Sequence, residues 1–171
     1  MVGRTSFELA WRDRPQEEAA HFNPAFCGEL LFRAVNEFRQ RSDLSMPLPY
    51  TFVILPLVLH PVTRRALPGR ADTAFASWAA ENETTLSVLP DRILRLRPVT
   101  RESLLFLSQH EAIGIGPDGV IVGARPIRLS AKPSSTTDEV HEIRRAAGLL
   151  GRWLSNQGGP AAVLQTFGVR V

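Results

Sequence analysis

The chain has 171 residues, 44% of them apolar and 22% charged, and a net charge of +3. That balance excludes a disordered chain and suits one domain, residues 1–171, that buries about 70% of its unfolded surface. Cys27, the only cysteine, excludes an intrachain disulfide and a cysteine-based zinc site, and the cytoplasm is the expected location.

Residues 1–22 read as an irregular N-terminal arm, with Arg4, Glu8, Arg12 and Asp13 standing where a secretory segment would be apolar. "NPAFCGELLFRAVNEFRQR" then predicts a helix, with Asn23 as N-cap and Pro24 in its first turn. Leu30, Leu31, Ala34, Val35 and Phe38 share one face of it, and it stops near Ser42. The next segment, "MPLPYTFVILPLVLHPVTRRALPG", is the most apolar. Its prolines at 47, 49, 56 and 61 predict short buried helical turns rather than a long regular helix. Its apolar run, Phe52 to Leu59, is far short of the roughly 20 residues that cross a bilayer, so no membrane contact is expected.

Residues 73–81 carry Ala74, Phe75 and Trp78 at helical spacing, with Asp72 placed to cap them. A second helix is predicted over 84–97, on the stripe Leu86, Leu89, Ile93 and Leu96. Pro98 would stop it, and Thr100 would cap a third running to His110. "GIGPDGVIVG" has glycines spaced like a dinucleotide-binding loop. Such a loop needs a strand before it and a helix after it, whereas here a helical pattern precedes and β-branched Val120, Ile121 and Val122 follow. Pro117-Asp118-Gly119 is turn chemistry, so the glycines are expected to turn a hairpin and no cofactor is expected.

Three helices and a hairpin over residues 72–124 suggest a winged-helix-like segment, although helix-helix-hairpin also occurs in unrelated α+β folds. The expected fold class is mainly α with one small β-hairpin. After the polar linker "SAKPSSTTDEV", C-terminal helices are predicted over 137–168. Val140, Ile143, Ala147, Leu150 and Leu154 form a seam that wants another helix, and Gly158-Gly159 precede a last turn at Pro160.

No catalytic or metal-binding constellation is evident. The histidines at 21, 60, 110 and 141 are scattered, no serine sits in a G-x-S-x-G elbow, and there is no phosphate-binding G-x-x-x-x-G-K-[ST] loop. Cys27 falls on the apolar side of its helix, where an inert thiol is expected. The basic residues are 19 Arg against one Lys. Arg92, Arg95, Arg97 and Arg101 would flank the turn of a winged helix, with Arg125, Arg128 and Lys132 after the hairpin, the places that meet a phosphate backbone. Between Pro90 and Lys132 the basic surplus is seven against four, enough for only a modest salt-dependent attraction, and a solvated basic face explains it equally. The apolar quartet Leu104 to Leu107 leaves the third helix little polar surface for base edges. It suits burial or a protein partner, with Leu104, Phe106, Ile143, Leu150 and Trp153 as candidate contacts.

"NPAFCGELLFRA", "MPLPYTFVILPLVLHPVTRRALP", "TRESLLFLSQHEAIGI" and "LGRWLSNQGGPAAVLQTFGVRV" resemble the middle component of bacterial three-component ABC-ATPase systems, from about His21 to Val171. The resemblance implies a small protein encoded beside an ABC ATPase of the chromosome-maintenance or repair type and a third component, acting in conflict with phage or other invading elements. It supplies no active-site residues. Two functions follow as expectations. One is a non-catalytic accessory subunit docking on the ATPase or the third component, with DNA reached at most through the complex; the other is a winged-helix DNA-binding regulator.

Overall fold

The computed structural model describes residues 9–129 and 136–169, and it is mainly helical with one two-stranded hairpin. The central element is α2 (Pro24–Ser42). As expected, the Asn23 side chain accepts the Ala25 N–H at 2.8 Å, with Pro24 in the first turn. Its apolar face, Cys27 through Phe38, is buried against α8 (Asp138–Ser155), α7 (Leu89–Gln109) and α3 (Leu48–Val58). The α8 seam packs on α2, with Ala147 and Leu150 fully covered.

Two ion pairs fix the register of that packing. Arg144 reaches Glu29 and Arg152 reaches Glu37, each at 2.7 Å. The arginines are eight residues apart on α8 and the glutamates eight apart on α2, paired in the same order, so the two helices run parallel. Between them, Gly151 lets the backbones meet: a Cβ there would fall on the carbonyl oxygen of Ala34.

The proline-rich segment is more regular than its prolines predict. α3 continues for 11 residues through Pro56, and α4 (Pro61–Ala66) follows after His60. Nearly every α3 residue from Tyr50 to Val58 is buried, and that burial outweighs one lost backbone bond. The same correction holds for α7. The helices expected on either side of Pro98 are one helix of 21 residues, Leu89–Gln109. An interior proline costs about 3 kcal/mol. Val99, Leu104 and Leu107 beyond it are buried, and each such side chain contributes about 1.5–3 kcal/mol, so continuity wins. Thr100 therefore caps nothing and lies fully buried inside the helix.

The other expected short helices shift too. α5 (Phe75–Glu81) begins without a side-chain cap: its N-cap position is Ala74, and Asp72, two residues earlier, pairs with Arg70 at 2.7 Å. α6 (Glu83–Leu86) is a single turn, separated from α7 by Ser87 and Val88. With no turn at Pro98, the pair of helices expected on either side of it, over 84–97 and 100–110, is not formed.

The hairpin is where the sequence places it. β1 (Ile113–Gly116) pairs antiparallel with β2 (Gly119–Val122) around a Pro117-Asp118 turn. Gly119 has φ +124°, and a Cβ on it would strike the Met46 carbonyl. Met46 bridges Val120 through N–H···O bonds of 3.0 and 2.8 Å, tying the hairpin to the end of α2.

α9 (Pro160–Thr166) closes the described chain. The described part of the arm is not irregular: a 3-10 turn at Trp11–Asp13 leads into α1 (Gln16–His21). Arg14, nearly buried, anchors this stretch to α7 by a 2.7 Å ion pair with Glu102.

Two outcomes test this architecture. Gly148 and Gly151 lie in the same helix, but a Cβ on Gly148 meets its neighbours at an ordinary 3.6 Å. Replacing either by Ala gains about 1 kcal/mol of helix propensity, and only Gly151→Ala adds an overpacking cost of about 1–3 kcal/mol. Thermal unfolding should show Gly148→Ala raising the midpoint and Gly151→Ala lowering it. Burial, reinforced by nearby Glu102, pushes the Cys27 thiol up to about 12. An unfolded thiol ionises near pH 8.5 or so, so the folded state keeps the thiol's contribution below that pH and loses it as pH rises toward 12. At pH 8 an alkylating reagent should leave the native thiol untouched and label it in urea.

Candidate functional site

The candidate phosphate-binding arginines lie on one rod, and the helical period separates them. α7 buries Leu89, Ile93, Leu96, Val99, Thr100, Ser103, Leu104 and Leu107 along one side. At about 100° per residue, Arg92 and Arg95 fall on one flank of that side, and Arg97 and Arg101 on the other. Arg92 is turned inward. Its Nη1 donates to Thr63 Oγ1 at 2.6 Å and to the Pro56 carbonyl at 3.3 Å, and partial burial lowers its pKa. Arg95, Arg97 and Arg101 are exposed. After the hairpin, Arg125 contacts Glu111 at 3.2 Å with both side chains mostly in solvent, a pair of small energetic weight. Arg128 is exposed, and Lys132 lies outside the described residues. The expected basic surface around an interhelical turn is thus replaced by two separated flanks.

The candidate partner contacts are mostly core. Leu104, Ile143, Leu150 and Trp153 are all buried, the last two completely. Trp153 donates its indole N–H to the Thr73 carbonyl at 2.7 Å and packs edge-on to Trp78 with ring centres 4.8 Å apart. Phe75 lies 5.4 Å from it, so α5 and α8 share this aromatic cluster. Phe106 is half-buried beside His110. Of the apolar quartet, Leu105 alone faces solvent, at 62% exposure, and Leu94 matches it at 62%. Leu105 belongs to that quartet, but neither leucine is among the candidate partner contacts read from the sequence. Their eleven-residue spacing is three helical turns, a signal visible only once the helix is continuous through Pro98.

α2, α4 and α8 enclose an open cleft of about 1340 Å³ whose walls carry Arg33, Arg64, Arg65, Arg144, Arg145 and Arg152. Most of that charge is engaged. Glu29 holds Arg33 at 2.8 Å and Arg144 at 2.7 Å, and Glu37 holds Arg152. Arg64, nearly buried, donates to the Val58 carbonyl at 2.8 Å and to Glu139 at 3.1 Å. Only the exposed Arg65 and Arg145 lack an ion pair among the described residues in this wall. His60, at the N-cap of α4, is held below its ordinary pKa by burial and by Arg92 and Arg64, and its Nδ1 faces the Thr63 N–H at 3.4 Å. Thr63 Oγ1 lies 3.2 Å from the same Nδ1 and is fully buried, so the arrangement cements helices.

Among the described residues no group of three or more His, Cys, Asp or Glu stands where it could hold a metal ion, and no helix is long and apolar enough to cross a membrane.

A family model described as ABC-three component (ABC-3C) system Middle Component 3 matches residues 11–171. No curated protein and no solved structure matches the chain. The chain belongs to the Middle Component 3 family of ABC-three component systems.

The core and surface assignments separate in stability measurements. Trp153→Ala should destabilise the protein by about 3–5 kcal/mol and lower its unfolding midpoint sharply. Leu105→Ser, at an exposed position, should stay within about 0.5 kcal/mol of the parent.

Proposed function

We propose that this middle component is a non-catalytic accessory subunit that docks on the ABC ATPase or the third component of its own system, in a cytoplasmic assembly directed against invading genetic elements. Family membership over nearly the whole chain carries the reading. Two structural observations support it. The side chains that a nucleic-acid reader would gather into one surface are divided between the flanks of α7, with Arg92 drawn inward. The cleft arginines are largely engaged with Glu29, Glu37, Glu139 and Glu142, so the cleft has small capacity for an added anion. A docking subunit needs neither feature, only a stable body with a surface left for its partner.

Co-expression with the ATPase and the third component, followed by size-exclusion chromatography, tests it. The expected result is co-elution with at least one of them that persists when salt is raised to about 0.5 M, because an apolar contact is not screened. An isolated chain that co-elutes with neither, yet binds duplex DNA with an affinity falling steeply with salt, would replace this reading by the DNA-binding regulator.

A further inference from the structure

The outward side of α7 carries an ordered pattern that the fold does not use. Leu94 and Leu105 are each 62% exposed and share one azimuth, about 16 Å apart along the axis. Between them, one turn apart, stand Arg97 and Arg101, both exposed and without an ion pair among the described residues. Along the axis the order is apolar, basic, basic, apolar, with the two arginines displaced toward one flank and half-buried Pro98 beside them. The opposite side of the same helix is sealed by α2 and α3, so this stripe sits on a rod that the core holds straight.

We propose that this face of α7 is the docking surface for an acidic amphipathic helix contributed by another component of the system. The partner helix would set apolar side chains on Leu94 and Leu105 and place carboxylates between them, opposite Arg97 and Arg101. The proposal rests on the subunit reading and adds to it a surface and a partner chemistry.

Charge complementarity selects this occupant over two others. A second copy of the chain, packed antiparallel about a two-fold axis, would set Leu94 against Leu105 but bring the two Arg97-Arg101 pairs together, and like charges at that distance repel. Duplex DNA would engage the arginines and leave two leucines facing a phosphate-rich surface that offers them no apolar partner. An acidic helix satisfies all four side chains at once. Its carboxylates form guanidinium pairs that are partly desolvated by the flanking leucines, which strengthens them relative to solvent-exposed pairs.

The test uses the full chain co-expressed with the ATPase and the third component, and reads the amount of each component retained on the tagged chain. Three variants are compared: Leu94→Asp with Leu105→Asp, Arg97→Glu with Arg101→Glu, and, as a cleft control, Arg65→Glu with Arg145→Glu. The first two should each reduce retention of one component by about tenfold or more, with unfolding midpoints near that of the parent because all four positions are exposed. The cleft control should retain that component fully. Parent-level retention in both α7 variants would overturn the docking face while leaving the subunit reading intact. Failure of the parent chain to retain either component would remove the subunit reading and this proposal with it. Loss of duplex DNA binding in the Arg97-Arg101 variant, with component retention unchanged, would assign the face to nucleic acid and overturn the acidic-helix proposal.

Discussion

The backbone contact between Gly151 and Ala34 governs how the rest of the chain is laid out. Only a residue without a Cβ lets α8 approach α2 this closely, and at that separation Glu29-Arg144 and Glu37-Arg152 fall into register on the same side. Because the paired helices are parallel, the chain leaving α2 at Ser42 must travel back the full length of the pair before α8 can begin. The elements from α3 to β2 make that return. They cover the remaining sides of α2, which explains why a 19-residue helix has buried side chains from Cys27 to Phe38.

That layout decides which apolar residues are available to anything else. α7 is gripped along one side by α2 and α3, so Leu104 and Leu107 are consumed by the core and Leu105 is left outside. The indole of Trp153 is held by the Thr73 carbonyl and by the rings of Phe75 and Trp78, so α8 spends its seam internally. Arginine is used in a comparable way. Arg14, Arg64, Arg92, Arg144 and Arg152 each tie one element to another, so five of the 19 arginines have a structural use without any ligand.

Elements whose ends are set by local chemistry were legible in the sequence. Asn23 and Pro24 mark the start of α2, and Gly119, at positive φ, fixes the hairpin turn. The misread elements are those in which tertiary burial overrides a local signal. Pro56 and Pro98 each remove one backbone donor, and sequence reasoning ended helices there. The stripes on both sides of each proline are buried against the same neighbours, and breaking the helix would have exposed them. The site inherited the error. Once α7 was divided at Pro98, Arg92 to Arg101 looked like one surface around a turn, and the relation between Leu94 and Leu105 across three turns could not be seen.

In the docking proposed for α7, continuity through Pro98 has a functional side as well as a structural one. A helix broken there would present Leu94 and Leu105 on separately oriented rods, with no fixed distance between them. An unbroken helix, clamped along its inner side, holds both leucines and the two intervening arginines on one side at fixed spacings before any partner arrives. Preorganisation of this kind lowers the entropy lost on association, because the receiving surface has no rotation of segments left to freeze. It also confers selectivity, since a partner must match apolar and charged positions at one spacing.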